Sequence, residues 1–117
     1  MKHREYLRAA WPAALVLGGL AVLHLIFSPV GEPFKNGDET RHVMTGVFFR
    51  DALADLPASA ADPRGYAASY YIQYPALGIV IWPPFFYAVE GVAMWAFGTS
   101  YLVARLVVYA FALLGGV

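Results

Sequence analysis

Apolar and polar positions divide the chain into three blocks. Residues 11–30 (WPAALVLGGLAVLHLIFSPV) carry no formal charge. At about 1.5 Å per residue a helix of that length covers roughly 30 Å, the thickness of a bilayer core. Lys2, Arg4 and Arg8 stand just before it. The apolar stretch exceeds the roughly 7–15 residues of a signal peptide, and no small-x-small cleavage site follows through Ser28-Pro29-Val30-Gly31-Glu32-Pro33. The pattern predicts a cytoplasmic N-terminus over 1–10 and a retained transmembrane helix over 11–30.

The last block, residues 77–117, holds only Glu90 and Arg105 as charged side chains. Pro83-Pro84 would break a helix ladder from inside but is tolerated in a first turn, so a helix is expected from Pro84 to Phe97 within a second membrane segment over 77–97. That helix is short for a crossing, roughly 21 Å. Either residues 77–82 complete the span in a bent form, or the helix starts below the interface in a protein-lined cavity. Gly98-Thr99-Ser100 supplies a cytoplasmic turn over 98–101, and a third membrane helix over 102–117 is still apolar at the last residue. That ending leads us to expect the first part of a longer polytopic protein.

Between the apolar blocks lies a polar segment, 31–76, far longer than the usual connection of about 4–6 residues. Residues 39–56 repeat at helical spacing, with Met44, Phe48, Ala52 and Leu56 on one flank, Phe49 beside them, and Arg50 and Asp51 turned away. Such a helix lies along the membrane interface or packs over the bundle. Residues 57–65 read as a polar turn and 66–74 as a second short helix. Four tyrosines in that run, with Trp82 beyond, match an interfacial aromatic belt.

Composition sharpens this picture. The chain is 60% hydrophobic and 14% charged, against about 45–50% and about 25% in soluble domains. The fold class expected is therefore all-α integral membrane: a polytopic helical bundle with amphipathic juxtamembrane helices in the first external loop. A net charge of zero argues against a nucleic-acid partner, and 16% aromatic residues argue against disorder. With no cysteine there is no disulfide framework, cysteine zinc site or thiol nucleophile. Lysine and arginine number three in residues 1–10 and four (Lys35, Arg41, Arg50, Arg64) across 31–76. The positive-inside rule then places the N-terminus in the cytoplasm and 31–76 outside, with Arg105 anchoring the cytoplasmic turn. Walker, GxGxxG, HExxH and GxSxG motifs are absent, which removes ATPase, dinucleotide-dehydrogenase, zinc-protease and serine-hydrolase readings.

Asp38-Glu39 is the most informative pair. Asp38 suits the N-cap of the helix behind it and Glu39 its first turn, where the helix dipole favours both. A carboxylate so oriented at the membrane face also suits a general base. Arg41 and His42, one turn on, read as a solvated or headgroup-facing pair. Glu90, an ionisable group on an apolar helix, makes an interhelical hydrogen bond or lines a site. Pairing of Glu90 with Arg105 is not expected. His24 reads as a packing residue, since no second ligand stands at i+3 or i+4.

The order of these features resembles the amino-terminal part of GT-C fold glycosyltransferases, in particular the bacterial protein-mannosyltransferase-like and aminoarabinose-transferase-like enzymes. The matching residues are NGDETRH with Asp38-Glu39, Pro83-Pro84-Phe85 opening the second membrane helix, and Phe97-Gly98-Thr99-Ser100 with Ala104-Arg105 at the turn into the third. The resemblance implies transfer of a sugar from a polyprenyl-phosphate-linked donor to a protein, lipid or glycan acceptor at the outer membrane face. It makes Asp38 the catalytic base and Glu39 its neighbour, with inversion at the sugar. Arg41, His42 and Glu90 are the candidate contacts to donor phosphate or acceptor, and a divalent metal ion is the one cofactor such chemistry invites. Two other classes compete: a transporter fragment, suggested by Glu90 and the proline-broken helix, and a small non-catalytic membrane subunit.

Overall fold

The computed structural model describes residues 2–27, 33–79 and 81–115. Positions 28–30 of the expected first membrane helix, Glu32, and the last two residues lie outside them. Among the described residues the fold is entirely helical: α1 (Lys2–Phe27), α2 (Gly37–Ala54), α3 (Ala58–Ala61), α4 (Pro63–Gln73), α5 (Pro84–Phe97) and α6 (Tyr101–Gly115).

Local chemistry explains most of the boundaries. Pro83 caps α5 and Pro84 takes its first position, where the missing N–H costs nothing. Gly98, at φ +90°, ends α5 in a conformation that L side chains rarely adopt, and Ser100 accepts from Val103 N–H at 3.2 Å to open α6. Asp62 caps α4 by accepting from Gly65 N–H at 2.9 Å. Three expectations are corrected. Asn36, not Asp38, is the N-cap of α2: Gly37 enters the helix, so Asp38 and Glu39 both fall in its first turn. The expected turn over 57–65 is α3 plus the start of α4. And α1 begins at Lys2 instead of residue 11, carrying Pro12 inside it.

One described helix segment, Ala10–Phe27, is long and apolar enough to cross a membrane, and none of it is buried within the chain. Helix α1 leans on α6, where His24 meets Tyr109 edge-on at 5.7 Å. The shorter α5 and α6 fold back as an antiparallel hairpin, with Phe111 of α6 against Phe85 and Phe86 of α5. Phe85, Val89, Val92 and Trp95 on α5, and Leu102, Leu106 and Leu114 on α6, remain exposed. Large apolar side chains are thus turned outward on three helices.

The most extensive packing joins α2 to α5. These helices run parallel: His42 lies beside Trp82 and Tyr87, Gly46 beside Glu90 and Gly91, and Arg50 beside Thr99. The Arg50 Nη1 donor reaches Thr99 Oγ1 at 2.5 Å, joining the segment expected outside to the turn expected inside. Helix α2 therefore stands alongside α5 and does not lie flat across its end. Two glycines permit the approach. A Cβ on Gly91 would sit 2.7 Å from Phe49 Cβ and 2.8 Å from Arg50 N, whereas one on Gly46 would run into the Glu90 carboxylate.

Helix α2 buries two faces. His42, Thr45, Gly46 and Phe49 face α5, while Phe48 packs on Tyr70 of α4 with rings 5.1 Å apart. Thr45 is fully buried and returns its hydroxyl to the Arg41 carbonyl at 2.9 Å. Leu56, expected on the apolar flank, lies past the helix end and is exposed.

The two glycines separate by experiment. Gly91→Ala, which meets backbone, is expected to cost about 1–3 kcal/mol of overpacking strain and to lower the thermal midpoint of the chain in detergent, followed by far-ultraviolet circular dichroism. Gly46→Ala meets only the flexible end of Glu90 and is expected to cost less. Equal midpoints for the two variants would contradict a crossing set by Gly91.

Candidate functional site

A cavity of about 370 Å³ opens where α2, α5 and α6 converge. Its polar groups are Glu39 and His42 from α2, Tyr87 and Glu90 from α5, and Arg105 from α6. Phe34, Val43, Phe86, Val108 and Phe111 make its walls apolar.

Each helix presents these groups for a local reason. Glu39 sits in the first turn of α2, where the helix dipole favours a carboxylate, and accepts a long hydrogen bond from Asn36 Nδ2 at 3.4 Å. His42 follows one turn later. Its Nδ1 is 2.5 Å from the Tyr87 hydroxyl, with the two ring planes nearly parallel, and Trp82 closes over it at 5.3 Å. Tyr87, Glu90, Gly91 and Met94 form the buried stripe of α5 at helical spacing. Glu90 is 1% exposed, and among the described residues its Oε2 has no hydrogen-bond partner.

Arg105 is the residue that sequence reasoning missed. Its guanidinium carbon lies 5.3 Å from the centre of the Phe34 ring and it shares the cavity with Glu90. The hairpin explains this without large excursions. Glu90 stands eight residues before Gly98 and Arg105 five after Ser100, so along the axis the two lie roughly 12 and 8 Å from the turn. The signal was in the sequence: a three-residue break between two apolar helices forces such pairs to one level.

The other expected site residues lie apart from the cavity lining. Asp38 is 84% exposed and faces Arg41 at 3.8 Å, a weak pair in solvent. Arg41 lines a different groove, with Met44 and Gln73. The structure therefore brings together Glu39, His42 and Glu90, and separates Asp38 and Arg41 from them. Among the described residues no three His, Cys, Asp or Glu side chains converge to hold a metal ion.

The carboxyl end of α2 is held by a second polar cluster. Arg50 binds Asp51 through Nε at 2.7 Å. Tyr70 donates to Asp51 at 2.5 Å and Tyr66 to Asp55 at 2.7 Å. Two tyrosines of the expected aromatic belt thus strut α4 against α2. Partial burial, then the hydrogen bond to Asp55 and its charge, push the Tyr66 phenol up to about 12; burial and Asp51 push Tyr70 up as well.

A raised phenol pKa means that the folded chain holds its proton where the unfolded chain has lost it. The stabilisation is complete below about pH 10, the ordinary tyrosine value, and is lost as pH climbs toward about 12. Thermal midpoints measured from pH 9 to 12 are expected to fall more steeply for the wild type than for Tyr66→Phe or Tyr70→Phe. Parallel curves would mean that these phenols do not couple to folding.

Comparison of the chain with protein-family profiles, curated protein sequences and solved structures found no match.

Proposed function

We propose that the chain belongs to an integral membrane glycosyltransferase, supplying its acidic first loop and the helices packed against it. The reaction moves a sugar from a polyprenyl-phosphate-linked donor to a protein, lipid or glycan acceptor. The observation that carries this reading is the shared cavity: Glu39 and His42, from the helix opened by Asp38-Glu39, face Arg105 between apolar walls. A lipid-phosphate sugar needs an apolar surface for its isoprenoid, cationic groups for its phosphate, and a base for the acceptor.

The acidic pair supplies the base. One carboxylate takes the proton of the acceptor hydroxyl as its oxygen attacks the anomeric carbon. The bond from that carbon to the phosphate oxygen breaks, polyprenyl phosphate departs, and the configuration inverts. Arg105 and the His42 ring, through whichever nitrogen carries a proton toward the phosphate, meet the charge growing on the departing group. The resemblance favours Asp38 as base, whereas cavity position favours Glu39. A divalent metal ion, if this chemistry uses one, would draw ligands from the acidic pair and from groups outside this cavity.

The membrane setting follows the same reading. Helix α1 spans the bilayer with the N-terminus cytoplasmic, and the 31–76 segment begins at the outer face. The lysine and arginine distribution and the outward apolar faces of α1, α5 and α6 support it.

Membranes carrying the whole gene product, supplied with a radiolabelled polyprenyl-phosphate sugar, provide the test. Loss of the base in Asp38→Asn or Glu39→Gln is expected to slow transfer by about 100-fold or more, as removal of a general base does. The variant that loses it identifies the base. Wild-type turnover by both, at equal expression and insertion, refutes the assignment of the pair.

A further inference from the structure

Glu90 is the polar group that the scheme above leaves unused. It is the most enclosed charged side chain of the described residues, 1% exposed, and its Oε2 finds no partner among them. A buried carboxyl oxygen without a hydrogen bond is costly, and an ionisable group on an apolar helix marks a functional site by default.

The surroundings are built to hold it there. The carboxylate fills the space above Gly46 that any other residue's Cβ would take, with Glu90 Cδ 2.7 Å from that position. Glu90 also lines the cavity, beside Tyr87 and the aromatic rings of Phe86 and Phe111. At about 370 Å³ the cavity lies within the range of about 300–1,000 Å³ typical of small-molecule sites. A carboxylate repels the phosphate of a lipid donor but accepts hydrogen bonds from hydroxyls. Ring walls of this kind suit the C–H face of a pyranose.

We infer that Glu90, seated in the slot left by Gly46, is the residue that recognises the sugar of the donor, its carboxylate accepting hydrogen bonds from ring hydroxyls. This rests on the glycosyltransferase reading and adds a division of labour within the cavity. Arg105 and His42 serve the phosphate, and Glu90 serves the sugar. Selectivity for a sugar-bearing lipid over the bare lipid then depends on α5, not on the acidic pair of α2.

The test measures binding to the full chain in lipid nanodiscs with two radiolabelled probes: a polyprenyl phosphate, and the same lipid carrying a hexose on its phosphate. The hexose is expected to tighten binding to the wild type by about tenfold, the scale of one or two charge-assisted hydrogen bonds. In Glu90→Gln, which keeps the shape and replaces one acceptor oxygen by an amide donor, that gain is expected to shrink to about twofold. Gly46→Ala, which displaces the carboxylate while keeping its charge, is expected to shrink it likewise, with helicity checked by circular dichroism. A hexose gain that is absent in the wild type, or undiminished in both variants, overturns the role of Glu90 and leaves the glycosyltransferase reading standing. Failure of either lipid to bind the wild type overturns both.

Discussion

The structure depends on the close approach of α2 to α5 at Gly46 and Gly91. Where Gly91 meets Phe49 and the Arg50 backbone there is no room for a Cβ, and at Gly46 the room is taken by a carboxylate. Contact at this distance sets the level of every residue up and down both helices. His42 reaches Tyr87 one turn before the crossing, and Arg50 reaches Thr99 beyond it. Widening the crossing by the thickness of a methyl group would open the floor of the cavity and release the His42–Tyr87 hydrogen bond.

Around this pair the chain is arranged with its apolar side chains outward. Helix α1 buries none of its apolar segment, and α5 and α6 turn Phe85, Trp95 and Leu106 away from the interior. The interior combines Met94, Ala104 and Val107 with Glu90, Thr45 and Tyr87. Outward apolar faces of this extent cost least where the surroundings are apolar, and there internal polar contacts help to order the helices. Helix α2 is the exception that fits the rule. It is enclosed by α5 on one side and α4 on another, and so carries small and polar residues on one face and Phe48 on the next.

The electrostatics of the two ends of α2 differ in kind. At its carboxyl end, Asp51 and Asp55 are met by Arg50 and two phenols, a cluster that fixes position. Near its amino end, Glu39 accepts a long hydrogen bond from Asn36, and Glu39 and His42 line a cavity bounded by Arg105. Groups of the first kind are satisfied by one another. Those of the second kind are held in place with capacity left for something else.

Much of the helical framework was legible because it is written locally. Pro83-Pro84 admits a helix only at its start, and Gly98 with Ser100 ends one helix and opens the next. The apolar run through residue 27 needs a helix wherever lipid surrounds it. The Asn36 cap and the α3 turn were missed, since Gly37 and Pro57 suit a turn and a helix start equally well in isolation. The sequence by itself thus determined the longer helices and their apolar character. It did not decide which residues meet. Asp38 and Glu39 are adjacent and both exposed, yet a helix turns about 100° per residue, so Asp38 lies beside Arg41 while Glu39 lines the cavity. Only the crossing at Gly46 and Gly91 and the fold-back of α6 chose Glu39, His42, Glu90 and Arg105 as companions, because contacts between helices depend on distances that no local pattern encodes.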